Sequence, residues 1–372
     1  MSSPESLQIP ADLLPRDGRF GSGPSKVRAA QVEALARDAR DFLGTSHRQA
    51  TVRSKVGEIR DGLTSLFSLP EGYEVLLGNG GSTCFWDAAS FHLVQRKSEH
   101  LSFGEFSSKF AAVTAAAPHL EDPVVISSEP GRHPLVEARD DVDAYALTHN
   151  ETSTGVMMPI TRPAGDGLVL VDATSGAGAL PVDPRQFDCY YFAPQKSFAS
   201  DGGLWLALCS PAAVERIEAI AASGRWTPAF FDLKVALDNS RLNQTYNTPA
   251  LATLHLLASQ ITWFNENGGL SFSAGRSARS AEILYAWADA SDFARPFVEN
   301  PEMRSAVVGT IDFAPEVDAS VVASVLRRHG VLDTEPYRKL GRNQLRIAMF
   351  PAVDPEDVAA LCASINWVVG NL

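Results

Sequence analysis

One stretch limits the possible folds of this chain more than any other, a buried strand that ends in a carboxylate. The apolar residues 168–171 are followed directly by Asp172 and then by the small residues 173–178. Open α/β sheets bind their ligands at the carboxyl ends of the strands. The sequence therefore predicts that Asp172 lies at a ligand-binding edge of such a sheet. A helix N-cap is the structural alternative for this carboxylate.

A lysine in unusual surroundings follows shortly after this strand. Lys196 lies within residues 190–203, which are mostly aromatic or small, and the apolar segment 204–208 comes next. In a pocket poor in water the charged ammonium is disfavoured, so the lysine pKa falls and the amine becomes a usable nucleophile. The alternative is a lysine at a strand end that extends into solvent.

Lys196 and Asp172 together meet the requirements of the cofactor pyridoxal 5'-phosphate. The lysine amine binds the cofactor aldehyde, and the carboxylate pairs with the pyridine nitrogen and keeps it protonated. A protonated ring withdraws electrons from a carbanion at the substrate Cα. The spacing of the two residues on successive predicted strands therefore favours a pyridoxal-phosphate enzyme over two unrelated structural roles.

The composition argues against several other classes of protein. A chain of 372 residues that is 45% hydrophobic is long enough for two domains with cores of their own. The net charge of -12, without runs of Lys and Arg, argues against a nucleic-acid partner. Four scattered cysteines lack metal-ligand spacing, so we expect no metal. With neither an apolar leader nor a long apolar run, we expect a cytoplasmic protein without a membrane partner.

The order of predicted strands and helices describes an α/β fold of two domains. Strands and helices alternate up to about residue 255, which is typical of a large, doubly wound, mostly parallel sheet. Residues 256–372 have the pattern of a smaller α+β domain, and the large domain covers 26–255. Residues 1–25 are rich in Pro and Gly and are predicted to form an arm, with Ser25 as the N-cap of the first helix.

A glycine-rich turn after an earlier predicted strand is a candidate phosphate site. Residues 78–83 join the strand 73–77 to a helix predicted from Cys84, and Ser82 and Thr83 add hydroxyl donors. Free backbone N–H groups and the positive end of a helix dipole attract a phosphate. The pattern matches neither a dinucleotide fingerprint nor a P-loop, and many glycine turns simply begin a helix.

Further polar and aromatic residues are candidates for the same site. Phe106 follows another strand, where it either stacks on a flat cofactor or packs in the core. Thr152 lies in the polar turn 149–155 and is a donor to a cofactor oxygen or a turn cap. Arg346 begins an apolar strand, and a partly buried arginine needs an anion, either a substrate or a carboxylate of the chain itself.

Five of these motifs resemble those of the phosphoserine aminotransferases, which are pyridoxal-phosphate enzymes of fold type I and class V. The similarity is to the actinobacterial branch and extends over nearly the whole chain. The five motifs are 44–48, 149–155, 172–175, 194–196 and 246–249. Their common order and spacing make the resemblance specific.

The resemblance implies a role for each matching residue. Lys196 binds the cofactor and moves the substrate proton, and Asp172 pairs with the pyridine nitrogen. The other implied cofactor-binding residues are Ser82, Thr83, Phe106, Thr152, Gln195, Asn247 and Thr248. The implied substrate-binding residues are His47, Arg48, Arg338 and Arg346. Four of these, namely His47, Arg48, Asn247 and Thr248, reach into the neighbouring subunit's site, which implies a homodimer with shared active sites.

The implied reaction is reversible amino transfer between L-glutamate and 3-phosphohydroxypyruvate, which gives O-phospho-L-serine and 2-oxoglutarate in serine biosynthesis. Activity on 4-phosphohydroxythreonine, in pyridoxine biosynthesis, is left open. The alternative is a serine/alanine–glyoxylate-type aminotransferase of the same fold. A lyase or desulfurase would usually carry a cysteine in its mobile loop, and a binding protein without cofactor would leave Lys196 unused.

Three positions differ from the pattern of many family members. Phe106 stands where a tryptophan is common, and Ser82 and Thr83 stand where an arginine follows the glycine turn. Tyr337 and Arg338 replace a His-Arg pair in the C-terminal loop. The resemblance therefore leaves open whether the substrate phosphate is bound by Arg338, Lys339 or Arg342.

Overall fold

A seven-stranded sheet lies at the centre of the computed structural model, which describes residues 4–372. The strands of the chain are β1 (Glu74–Gly80), β2 (Ser98–Ser102), β3 (Val124–Ser127), β4 (Ala144–Thr148), β5 (Asn150–Glu151), β6 (Val156–Met157), β7 (Leu168–Asp172), β8 (Cys189–Phe192), β9 (Gly203–Cys209), β10 (Ala294–Pro296), β11 (Val308–Phe313) and β12 (Gln344–Ala348). The order across the sheet is β1-β9-β8-β7-β4-β2-β3. β9 runs antiparallel to both of its neighbours, and the other neighbouring pairs are parallel.

Ten α-helices accompany these strands. They are α1 (Ala29–Phe42), α2 (Ala50–Leu66), α3 (Ser82–His92), α4 (Glu105–Ala116), α5 (Pro211–Ala222), α6 (Leu233–Arg241), α7 (Leu251–Glu266), α8 (Gly269–Asp289), α9 (Ala319–Arg328) and α10 (Pro355–Val369) in the described residues. The chain follows the predicted alternation, and helices cover both faces of the large sheet. The predicted α/β, mostly parallel fold is confirmed.

The two faces of the large sheet are buried in two separate cores. In β8, Tyr190 and Phe192 face a core shared with α2 and α7, while Cys189 and Tyr191 face a core shared with α3 to α6. Alternate residues of a strand point to opposite faces, so a strand buried on both sides must be apolar throughout. The continuous apolar run 168–171 of β7 has the same cause.

A smaller sheet, β10-β11-β12, is antiparallel and packs against α8, α9 and α10. The N-terminal segment packs into the same core through Leu7, Ile9 and Phe20. The predicted division between residues 255 and 256 falls inside the continuous helix α7, and the domain bounds stay a prediction. Residues 1–3 of the predicted arm lie outside the described residues. Within residues 4–372, no helix is long and apolar enough to cross a membrane.

The N-terminal segment ends against the segment that contains the candidate lysine. Ser25 donates its hydroxyl to the Lys196 carbonyl at 2.5 Å and its amide to the Gln195 carbonyl at 2.8 Å. The first helix begins only at Ala29, after Arg28. The prediction of Ser25 as an N-cap is therefore wrong, because its donors are used by a turn distant in sequence.

Candidate active site

A cavity of about 300 Å³ opens where parallel strands of the large sheet end and two helices begin. It is lined by Gly23, Pro24, Gly81, Ser82, Thr83, Trp86, Phe106, Thr148, Asn150, Thr152, Asp172, Thr174, Ser175, Gln195 and Lys196. Its volume lies at the lower end of small-ligand sites, which span roughly 300–1,000 Å³. A wider cleft of about 1140 Å³, between residues 128–132 and the small sheet, lacks this lysine and carboxylate.

Asp172 ends β7 and is buried at one side of the cavity. Its Oδ1 accepts the Thr174 amide at 3.0 Å and the Thr174 hydroxyl at 2.6 Å, and its Oδ2 accepts the Trp86 indole N–H at 3.0 Å. Burial raises the pKa of Asp172, and the bonds from Thr174 and Trp86 oppose that rise. A buried carboxylate held by neutral donors favours a cationic partner such as a pyridinium. Asp172 also caps the turn that follows β7, but no helix of the described residues begins there, so the alternative role as a helix N-cap is wrong.

Lys196 faces the same cavity from the segment after β8. Its Nζ donates to the Ser22 carbonyl at 2.7 Å and lies 5.7 Å from the centroid of the Phe106 ring. The pKa of Lys196 is lowered to about 8, first by desolvation and then by the nearby Arg346 guanidinium, while Glu151 and Asp172 raise it. Such an amine is a far better nucleophile near neutral pH than an ordinary lysine.

The N-terminus of α3 forms an anion-binding end of the cavity. The helix begins at Ser82, two residues before the predicted start, and Gly81 has no side chain with which to cap it. The first N–H groups of a helix have no intrahelical partner, so they are available to a phosphate. The hydroxyls of Ser82 and Thr174 are 2.5 Å apart, which links this end to Asp172. Within the described residues, the buried Oε1 of Gln195 has no hydrogen-bond partner.

Arg346 lies on β12 and reaches this site from the smaller sheet. Its Nη1 donates to the Thr152 carbonyl at 3.3 Å, and its guanidinium carbon lies 5.3 Å from the centroid of the Tyr337 ring. Burial lowers the pKa of Arg346. Its Nε is buried without a partner among the described residues, so the guanidinium retains a donor for an anion such as a carboxylate.

Four predicted site residues form a second, more exposed cluster, and none of them lines the cavity as far as the chain is described. Thr248 Oγ1 lies 3.2 Å from His47 Nδ1, and Arg48 donates to the Gln244 side chain at 3.1 Å. Asn247 is in contact with the Asn79 amide at the end of β1. The fold thus brings together the loop 44–48 and the segment 244–248, which are far apart in the sequence.

The three candidates for the substrate phosphate lie in different surroundings. Arg338 is exposed in a single turn of 3-10 helix. Lys339 forms an ion pair with Glu105 at the start of α4. Arg342 forms an ion pair with Asp312 and covers the Phe297 ring at 4.6 Å. A cation that is already neutralised by a carboxylate is less available to a substrate, and this applies to both Lys339 and Arg342, which leaves Arg338 as the better candidate.

The structure adds residues that the sequence reasoning did not identify. Trp86 and Thr174 hold Asp172, and the Ser22 carbonyl holds Lys196. Helical spacing was an available signal for Trp86, because it follows Ser82 by four residues and so lies on the same face of the helix. No local signal marked Ser22, which reaches Lys196 across 174 residues of sequence.

Comparison with known proteins agrees with this fold and site. The sequence model of the family described as Aminotransferase class-V matches residues 21–334. Fold, site and this match define a pyridoxal-phosphate-dependent aminotransferase. A phosphoserine aminotransferase of Nocardioides sp. is 63% identical over 372 residues, covering 99% of this chain and 100% of that relative. The chain belongs to the phosphoserine aminotransferase family within class V, as the five motifs predicted.

Solved structures show the same fold at much lower identity. A phosphoserine aminotransferase of Cytophaga hutchinsonii superimposes with a TM-score of 0.87 at 23% identity, covering 94% of this chain and 99% of its own. The phosphoserine aminotransferase of Trichomonas vaginalis, solved with pyridoxal phosphate bound, gives 0.79 at 19% identity over 94% and 100% of the two chains. The predicted fold type I architecture is confirmed.

Proposed function

We propose that this chain transfers the amino group between L-glutamate and 3-phosphohydroxypyruvate, with pyridoxal phosphate as its cofactor. The observation that carries the proposal is one cavity that joins Lys196, Asp172 and the free N-terminus of α3. The relatives named phosphoserine aminotransferase support this substrate over a serine/alanine–glyoxylate-type activity.

The cavity residues fit the chemistry of pyridoxal phosphate. Lys196 would bind the aldehyde, Asp172 the pyridine nitrogen, and Ser82, Thr83 and Gln195 the phosphate. Phe106 would stack on the ring, and Thr152 would contact its hydroxyl side. Among residues 4–372, the Gln195 Oε1 has no hydrogen-bond partner and the first turn of α3 has no side-chain cap. Both support this fit, because polar groups buried beside a cavity need a partner.

The bound cofactor supplies an electron sink that stabilises negative charge at the substrate Cα. The side chains of the protein supply the remaining functions. Asp172 holds a positive charge in a buried position, and Arg346 orients the substrate through its α-carboxylate. The lowered pKa of Lys196 suits an amine that takes the Cα proton and returns it during each half-reaction. Since one lysine serves both half-reactions, we expect ping-pong kinetics.

We further propose a homodimer with shared active sites. His47, Arg48, Asn247 and Thr248 would complete the partner subunit's site. Two observations support this proposal. These four residues form a polar cluster separate from the cavity, and exposed apolar side chains lie within or close to the same two segments. Leu43 is 38% exposed, Leu242 is 56% exposed and Tyr246 is 49% exposed. Exposed apolar groups of this size, when adjacent, are typical of a surface that is covered by a partner.

The remaining assignments are proposals of the same kind. We place the large domain at residues 26–255 and the small domain at 256–372, after an arm of residues 1–25. We also place the protein in the cytoplasm, because its four cysteines are unpaired and thiols persist in a reducing compartment.

A transamination assay tests the function directly. Purified protein is given O-phospho-L-serine and 2-oxoglutarate, and glutamate formation is followed, with L-serine and L-alanine as parallel donors. Strong preference for phosphoserine is expected, together with loss of activity in Lys196→Ala. If L-serine or L-alanine is converted as well as O-phospho-L-serine, the function is that of another aminotransferase of the same fold, such as the serine/alanine–glyoxylate type.

Arg48→Ala refines the substrate assignment. An arginine that faces the substrate phosphate loses a charge-assisted hydrogen bond, so the loss of kcat/KM should be larger for phosphoserine than for serine. Equal losses for the two donors would instead indicate a carboxylate-binding or structural role for Arg48. Arg342→Ala is the matched control, because that guanidinium is held by Asp312.

A further inference from the structure

A second buried carboxylate lies beside the cavity, and its only effect described so far is to raise the pKa of Lys196. Glu151 in β5 is fully buried, and its carboxylate accepts five hydrogen bonds. Its Oε2 accepts the amides of Phe106 and Ser107, both at 3.0 Å, and the Ser107 hydroxyl at 3.1 Å. Its Oε1 accepts the amide of Ser153 at 3.2 Å and the hydroxyl at 2.7 Å. Glu151 thus ties the first turn of α4 to the segment that carries Thr152.

The hydrogen-bond donors around Glu151 favour the charged form of its carboxylate. Backbone N–H groups only donate, and the Ser153 hydroxyl already accepts the Glu105 amide at 3.0 Å, which leaves its own proton for Glu151. The positive end of the α4 dipole lies at the same place. Burial raises the pKa of Glu151, and the hydrogen bonds from Ser107 and Ser153 oppose that rise. Hydrogen bonds to a charged acceptor are roughly twice as strong as neutral ones.

The close approach of Glu151 to the helix depends on a glycine. A Cβ on Gly104 would lie 2.3 Å from Cγ of Glu151 and 2.6 Å from the Ser153 hydroxyl oxygen. Any larger residue would push the carboxylate away from the first turn of α4. The position of this helix relative to the strand ends is therefore set by a specific polar contact as well as by apolar packing.

We propose that Glu151 is a positioning residue that holds the Phe106 ring against the cavity and so fixes the plane of the bound cofactor. This inference rests on the proposed cofactor. Phe106 lines the cavity, and its backbone is one of the groups that Glu151 holds. Stacking of flat rings depends on their separation and offset. The same segment also carries Thr152, whose carbonyl accepts Arg346, so one carboxylate organises two sides of the site.

The test is Glu151→Gln, which keeps the size and removes the charge. Its amide N–H groups would face amide donors, so we expect the dissociation constant of pyridoxal phosphate to rise about tenfold to a hundredfold. We also expect a changed visible circular dichroism band, which reports the orientation of the bound ring. The matched control is Glu99→Gln, another carboxylate whose side chain is fully buried, at the amino end of β2. Its cofactor affinity and spectrum should match those of the unsubstituted protein.

A double-mutant cycle with Phe106→Ala separates positioning from general destabilisation. If Glu151 acts through the ring, then Glu151→Gln should change the affinity less than about threefold once the ring is absent. Additive losses, or an unchanged spectrum in Glu151→Gln, would overturn the inference while leaving the proposed cofactor intact. Ser153→Ala removes one hydrogen-bond donor to Glu151 and should raise the dissociation constant of pyridoxal phosphate by a smaller factor. This variant replaces Glu151→Gln as the test if Glu151→Gln does not fold. Failure of the unsubstituted protein to bind pyridoxal phosphate would overturn both proposals.

Discussion

Trp86 donates its indole N–H to the Asp172 carboxylate over 3.0 Å, and this bond joins α3 to the end of β7. One turn earlier in α3, the contact between the Ser82 and Thr174 hydroxyls joins the helix to the turn that directly follows β7. The helix that offers its N-terminus to an anion and the strand that presents the carboxylate are therefore one rigid unit. A movement of either element would change the phosphate end and the pyridine end of the site together.

Removing the Trp86 donor should weaken cofactor binding. Trp86→Phe keeps an aromatic ring beside Phe110 but leaves Oδ2 of Asp172 without its protein donor, so the pKa of Asp172 rises further. We expect the dissociation constant of pyridoxal phosphate to rise about tenfold, the scale of one hydrogen bond to a charged group. A titration followed by cofactor absorbance measures it. Trp205→Phe, in the same core layer, is the control, and equal effects of the two changes would contradict the role of the N–H.

The reactivity of Lys196 in the cofactor-free protein should follow its lowered pKa. Only the neutral amine is a nucleophile, so labelling of Lys196 by an acylating reagent should rise with pH and reach half its maximum near pH 8. Peptide mass spectrometry at a series of pH values measures the midpoint. In Arg346→Gln the midpoint should move upward, because a nearby positive charge is lost. An unmoved midpoint, or an equal shift in Arg342→Gln, would contradict the electrostatic contribution of Arg346.

Gly23 should be intolerant of a side chain. A Cβ at this position would lie 2.7 Å from Nζ of Lys196, and the residue has a φ of +134°, which L side chains rarely adopt. We expect Gly23→Ala to displace the lysine and to reduce cofactor binding by at least tenfold, the cost of roughly 1.4 kcal/mol. Gly224→Ala is the matched control, because its φ is +84° but a Cβ there meets no atom of the described residues within 4 Å. A similar loss of binding in the control would show that backbone strain, and not contact with Lys196, is responsible.

Two buried histidines should make the fold sensitive to acid. Burial lowers the pKa of His100 to about 3 and that of His149 to about 4. Below pH 6.5 the unfolded chain takes up protons that the folded protein does not, so stability falls as pH falls. Each histidine contributes a slope of about 1.4 kcal/mol per pH unit until its folded pKa is reached. Urea unfolding at pH 6.5, 5.5 and 4.5 measures this slope, which His100→Gln should reduce. His133→Gln serves as the control, and the same reduction there would contradict the assignment.

Much of the site was predictable because two strands that are consecutive in the sequence are also neighbours in the sheet. Asp172 ends one parallel strand and Lys196 follows the next, and β7 and β8 are neighbours in the sheet. The carboxyl ends of parallel neighbours share one edge, so two local patterns were enough to place both residues in one cavity. The glycine-rich turn between a strand and a helix likewise predicted a helix start at this edge, although α3 begins at Ser82, two residues before the predicted start.

Other contacts were not predictable because each joins two residues that are far apart in the sequence, and neither residue alone indicates the other. Ser25 has the local features of a helix cap, yet its hydroxyl is used by the Lys196 carbonyl. In the sequence Glu151 is one polar residue of a predicted turn. Its hydrogen-bond donors from Phe106 and Ser107 are apparent only once α4 is packed against it. The sequence could not distinguish Arg338, Lys339 and Arg342 as phosphate-binding candidates. The structure does so for Arg342, because β11 places Asp312 beside its guanidinium.

The sequence by itself determined the alternating α/β pattern, the family, and the residues whose chemical role is indicated by their neighbours in the chain. Periodicity and turn residues act over a few positions, so they are readable without coordinates. The tertiary structure alone decided which donors hold Asp172, Lys196 and Glu151, and which charges lie near enough to shift a pKa. Hydrogen bonds and desolvation depend on distances of a few ångströms between segments far apart in the chain, and only packing sets those distances.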